Sequence, residues 1–249
     1  MEKRTDKNSY TILFAVIMVF VVGASLAFLA TSLKGKIDEN KRLEKQQNIL
    51  YAMGVNDNDE KSVAFISTDN VAKEFSTYIT KQVIIQGDNV TEDDEAYLID
   101  LKVESAKSKE TSYQRRLPLF IGEKEGAPYY IVPMRGKGLW DAIWGYISLD
   151  KNLVVQGVFF DHKGETPGLG ANINQRFFMD DFTGEHILNQ KENFAGIAVS
   201  KSNIDPKNER KTDNAVDAIA GATITGDGIA AMIRKDLRMY MPYLQTLKN

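Results

Sequence analysis

The sequence predicts an α+β protein: a single N-terminal transmembrane helix and helical stalk, followed by one mixed domain. Three observations carry this. Thr11 to Leu33 is an uncharged run of 23 residues. Residues 128–160 read as β-rich stretches joined by a tight turn. Residues 226–244 place apolar side chains at helical spacing. Strands followed by a packing helix argue for the α+β class.

The apolar run comes first. As a helix it spans about 34 Å, enough to cross a hydrocarbon core. The alternative is a cleaved signal peptide, and Ala30 and Ser32 do offer a small-x-small pair. A cleavable apolar region is shorter, about 7–15 residues, so an uncleaved anchor over 11–33 is expected, with 1–10 as a tail. Lys3, Arg4 and Lys7 precede the span; Lys34, Lys36, Lys41, Arg42 and Lys45 follow it. Positive charge alone therefore favours a cytoplasmic C-terminal side, although the rule weakens before a long domain.

The stalk, residues 34–54, is rich in helix formers. Leu43, Leu50 and Met53 describe one apolar stripe, with a bend expected at Gly35 and a stop at Gly54. "NDNDEKS" marks a turn. Between 63 and 115, "VAKEFSTYITKQVIIQ" reads as a helix running into a strand. "TEDDEA" reads as solvated, and "VESAKSKETSYQRR" as a polar connector in a surface layer without chemistry.

From Pro118 the pattern sharpens. "PYYIVPMRG" is strand-like, with Pro133 pointing to an edge. "WGYISL" and "LVVQGVFF" form a hairpin around Asp150-Lys151-Asn152. "DHKGETPGLG" is a loop, "NQRFFMDDF" a short helix, "FAGIAVS" a strand and "NIDPKNERKTDN" a polar loop. Ile229, Met232, Ile233, Leu237, Tyr240 and Leu244 then form one face of a closing helix.

Composition excludes several functions. The formal net charge of -3 gives no basic surplus for nucleic acid. Without cysteine there is no disulfide, thiol catalysis or thiolate-held iron–sulfur cluster. The two histidines, His162 and His186, lack metal-ligand spacing, so no metal site is expected.

Three loops carry the chemistry. In "GKGLWDAIWG", Gly136 and Gly138 flank Lys137, which can meet a phosphate or an electron-rich ring edge; Leu139, Trp140 and Trp144 offer apolar surface, or simply core. In "GETPGLG", Glu165 and Thr166 precede a rigid Pro167-Gly168 turn, and Leu169 and Gly170 follow it. Polar atoms beside one apolar side chain suit the edge and face of a planar heterocycle; a plain turn is the other reading. In "DAIAGATITGDG", Gly221 and Ala222 leave room around Thr223, and Thr225 or Asp227 can cap the helix behind it. A helix start favours an anion, but by only about 0.3–2 kcal/mol. A phosphate held there needs further contacts or a covalent bond.

"DAIAGATIT" resembles the flavinylation motif of the FMN-binding domain family. That resemblance implies FMN joined by a phosphoester to Thr223, with Asp217 as the leading acid. Ala220 departs from the pattern, where the family usually has Ser or Thr. The anchor, the stalk ending "QQNILYAMGV", and the "GKGLW" and "GETPGLG" loops are together similar to the C-subunit family of sodium-translocating NADH:quinone reductases. The G-subunit family of Rnf-type complexes shares the motif and an anchor, without this stalk and loop pairing. The reductase likeness implies an electron carrier between an iron–sulfur centre and the flavin of the B subunit, on the way to quinone, with no catalytic acid or base of its own. It implies maturation outside the cytoplasm by a transferase that uses FAD and magnesium. It therefore implies a bacterial inner-membrane protein with residues 55–249 periplasmic, against the charge count. With it, Glu165 and Thr166 are expected to make polar contacts, Leu169 and Trp140 to pack on the ring, and Gly221 and Ala222 to give clearance. A non-redox anchored sensor, with Thr223 unmodified, is the reading from another class.

Overall fold

The computed structural model describes residues 8–59, 62–110, 112–203 and 205–248. The chain divides into two units, one ending at Leu43 and one beginning at Glu44. Helix α1, Asn8–Ala52, begins in the first and ends in the second. It runs through Gly35 without a break in the helix. Its apolar stretch is wholly exposed, and the helix is long and apolar enough to cross a membrane. Lys3, Arg4 and Lys7, which entered the charge count, lie outside the described residues.

In the second unit α1 does not present a single stripe. Asn48, Ile49, Leu50, Tyr51 and Ala52 are consecutive and all buried, so the helix end is packed on every side. It stops where expected. Gly54 takes φ +76°, the Val55 N–H returns to the Leu50 carbonyl at 2.9 Å, and the Gly54 N–H to Tyr51 at 2.9 Å. That pair of bonds is a Schellman stop, which a glycine permits at no steric cost.

Next come α2 (Thr68–Tyr78), β1 (Ile79–Gln86), β2 (Asn89–Glu92) and α3 (Leu101–Lys107). The helix-to-strand reading of this stretch is met, but the surface-layer reading is not. β1 lies inside the sheet, between β2 and β3 (Leu117–Lys124), with Val83, Ile84 and Ile85 buried. The polar connector is partly α3, capped by Asp100, whose carboxylate accepts the Lys102 N–H at 2.7 Å. Its polarity misleads because Glu104 is buried: it accepts from Tyr113 Oη at 2.6 Å and from Arg116 Nη2 at 2.9 Å.

The remaining strands are β3 (Leu117–Lys124), β4 (Ala127–Lys137), β5 (Ala142–Leu149) and β6 (Val155–His162). The six-stranded antiparallel sheet runs β2-β1-β3-β4-β5-β6. The expected β5–β6 hairpin is present. β4 is not an edge strand; Pro133 is buried and faces Tyr146 of β5. It is tolerated because the β3 ladder ends at Phe120–Ile131. Residues two apart point their N–H groups the same way, and the Arg135 N–H on that side donates to Asp236, not to a strand.

After β6 come α4 (Arg176–Met179), the two-residue strands β7 (Ala198–Val199) and β8 (Ala215–Val216), paired in parallel, and α5 (Thr223–Thr246). "NQRFFMDDF" is helical as expected, while "FAGIAVS" yields only β7. All six apolar residues assigned to the closing helix are 2% exposed or less. α5 packs on β4 so closely that a Cβ on Gly136 would fall 2.8 Å from Met232 Cβ. At about 1.5–3 kcal/mol per fully buried apolar side chain, this face dominates the attachment of α5.

Candidate functional site

The loops between β4 and β5 and after β6, together with the start of α5, converge on one cleft of about 250 Å³. Its walls are Leu139, Glu165, Thr166, Leu169, Gly170, Gly221, Ala222, Thr223, Ile224 and Thr225. The start of α5 forms one side. Gly221 takes φ +70°, a conformation that side chains rarely adopt, and a Cβ there would fall 2.7 Å from Leu169 Cδ2. Thr223 is the first helical residue and is exposed.

No side chain caps this helix. Ala222 occupies the cap position, and Thr225 and Asp227 lie within the helix. The capping expectation is therefore wrong. The reason is the register: the helix starts two residues before Thr225, whose hydroxyl donates instead to Glu165 Oε2 at 2.7 Å. Among the described residues, the leading N–H groups of α5 thus have no side-chain acceptor, as an anion site requires.

Glu165 is 4% exposed and holds the loops together. Its Oε1 accepts the Trp140 N–H at 3.0 Å, and its own N–H donates to His162 Nδ1 at 3.2 Å. Gly138 and Gly170 make the space: a Cβ on either would fall 2.4 or 2.5 Å from a Glu165 carboxylate oxygen. Leu139, Leu169 and Ile224 are 45%, 42% and 58% exposed, an apolar lining open to solvent beside the polar Thr166. A planar apolar group with a phosphate tail fits this donor set: aliphatic walls, one hydroxyl at a helix start, and glycine clearance.

Four expected residues stand outside the walls. Lys137 is exposed at the end of β4. Gly138 is buried behind Glu165. Trp140 is 67% exposed, and its backbone N–H donates to Glu165. Asp217 accepts the Asp205 N–H at 3.1 Å, tying the loop before β8 to the segment before α5. Glu165 differs in role from the expectation, since its oxygens serve the protein itself. Sequence reading missed Ile224; an apolar residue between two threonines in a small-residue loop was the available signal. His162 was weighed only as a metal ligand; here its Nδ1 accepts the Glu165 N–H.

The FMN-binding domain family matches residues 138–238, from the β4–β5 loop into α5, a stretch that includes every wall of the cleft. The C subunit of the Na+-translocating NADH-quinone reductase from Pseudomonas aeruginosa is 27% identical over 241 residues, covering 90% of this chain and 89% of that one. Its counterpart from Neisseria meningitidis serogroup B is 27% identical and covers 100% of this chain and 98% of its own. The crystal structure of the same protein from Parabacteroides distasonis is 30% identical, covers 85% of this chain and 96% of its own, and superposes with a TM-score of 0.70. The chain belongs to the family of Na+-translocating NADH-quinone reductase C subunits, the NqrC family.

Proposed function

We propose that this chain is the electron-carrier subunit of a Na+-translocating NADH:quinone reductase, with FMN held covalently through a phosphoester to Thr223. The observation that carries the reading is the exposed Thr223 at the uncapped start of α5, on the wall of the apolar cleft. FMN supplies reversible electron transfer when bound. The chain's part is to hold and orient it. Thr223 Oγ1 bears the phosphorus, and Gly221 and Ala222 keep the approach clear. Leu139, Leu169 and Ile224 cover the ring, and Thr166 meets its polar edge. Helix-start attraction alone is worth at most about thirtyfold in affinity, so retention falls to the covalent bond. Attachment joins Thr223 Oγ1 to the FMN phosphorus of FAD, breaks the pyrophosphate and releases AMP; the hydroxyl proton leaves with the transferase or solvent.

In the complex, the chain relays electrons from an iron–sulfur centre to the flavin of the B subunit. Residues 11–33 span the bacterial inner membrane, 34–54 form the stalk, and 55–249 stand in the periplasm with the FAD-dependent transferase. Support comes from family membership, an apolar helix long enough to cross a membrane and the absence of cysteine.

The experiment is intact mass and in-gel fluorescence after denaturation, with the full chain coexpressed with the transferase. Thr223→Ala loses the flavin and Thr225→Ala keeps it. A fluorescent Thr223→Ala band overturns the assignment.

A further inference from the structure

We propose that Glu165 is a positioning residue for the attachment threonine: its carboxylate ties the first turn of α5 to both cleft loops and so fixes where the Thr223 hydroxyl stands. This rests on the reading of Thr223 as the attachment site. The two carboxylate oxygens have separate duties, one accepting the Thr225 hydroxyl at 2.7 Å and the other the Trp140 N–H at 3.0 Å. These partners lie 60 and 25 residues away in sequence, so one side chain joins three segments. At 4% exposure, with both oxygens engaged, Glu165 cannot serve a ligand without releasing a loop.

The tether sits where the helix is weakest. Helix ends fray, and this one has no side-chain cap on Ala222. Residues two apart on a helix point to nearly opposite sides, about 200° around the axis. Anchoring Thr225 inward to Glu165 therefore turns Thr223 outward. Thr225 is 1% exposed while Thr223 is exposed, and that difference separates the two hydroxyls for an incoming transferase. Attack at phosphorus depends on a held geometry, so a loosened first turn slows attachment without removing the nucleophile.

The test is the rate at which full-length chain, purified without prior flavin attachment, is modified by transferase, FAD and magnesium. It is run well below the melting temperature of every variant. Glu165→Ala and Thr225→Val are expected to react about tenfold slower or worse, the loss of a charge-assisted hydrogen bond. Glu165→Gln is expected within about twofold, because its carbonyl accepts from Trp140 while its amide donates to the Thr225 oxygen. Hydrogen exchange gives a second readout: the Gly226 amide, bonded to the Ala222 carbonyl at 2.9 Å, exchanges about tenfold faster in Thr225→Val and normally in Glu165→Gln. Wild-type attachment and exchange in Thr225→Val overturn the proposal, and so does a Glu165→Gln as slow as Glu165→Ala. Should Glu165→Ala not fold, the nearly isosteric Thr225→Val decides. Thr223→Ala separates the two ideas: if it still takes flavin, the attachment site is wrong. If it is blank while Thr225→Val behaves as wild type, the brace alone is wrong.

Discussion

A Cβ placed on Gly221 would lie 2.7 Å from Cδ2 of Leu169, so the turn before α5 and the loop after β6 touch only because Gly221 has no side chain. Its φ of +70° adds a second demand for glycine. Gly221→Ala is expected to lower stability by about 1–2 kcal/mol, measured by urea unfolding, and to slow flavin attachment by crowding the cleft. Adding Leu169→Ala should relieve the contact part of that loss and leave the backbone part. A double variant as unstable as the sum of the two singles would show that Leu169 is not the obstacle.

Asp236 makes a different prediction, about how α5 is held against β4. Its carboxylate is 1% exposed, accepts the Arg135 N–H at 2.7 Å, and lies 3.6 Å from Arg115 Nη1 and 3.3 Å from Lys235 Nζ. Arg115 is itself only 11% exposed. Asp236→Ala strands a nearly buried guanidinium and a strand-end N–H, and should cost about 3 kcal/mol. Asp236→Asn, which keeps an acceptor for Arg135, should cost clearly less. Chemical denaturation of both variants is the check.

The parts of this fold that were legible in the sequence are those where one local pattern dominates. α5 repeats its apolar residues on one face, and β5 and β6 are apolar, β-rich runs on either side of three polar residues, so local pattern alone found them. α3 and the inner position of β4 were not legible. Glu104 and Pro133 look like surface and edge residues until their long-range partners, Arg116 and the end of the β3 ladder, are in place. The site divides in the same way. The small residues around Thr223 announced a cleft, whereas Glu165 looked like a ligand contact. Its partner Thr225 lies 60 residues away, and only the fold brings the two together.

Glu185 predicts a pH dependence. It is fully buried, and neither carboxylate oxygen has a hydrogen-bond partner among the described residues; Lys211 Nζ is 3.9 Å away. Burial pushes its carboxyl up to about 8; Lys211 opposes the rise, and Asp213, Asp205 and Asp181 add to it. Asp181 is likewise raised to about 6, chiefly by burial and then by Asp217. For both, the folded state binds the proton more tightly than the unfolded chain does. The stability they contribute is complete below the unfolded carboxylate range near pH 4. It is lost as pH rises through about 6 for Asp181 and about 8 for Glu185. Lys211 also donates to the Asp181 carbonyl at 3.2 Å, and it lies on the polar loop that leads through β8 and Asp217 to Thr223. The expected result is a melting temperature that falls between pH 5 and pH 8. Glu185→Gln should flatten the upper part of that fall, gaining stability of order 3 kcal/mol at pH 8 relative to wild type. Equal slopes in the two proteins would show that Glu185 is ionised in the fold throughout, with Lys211 as a sufficient counter-ion.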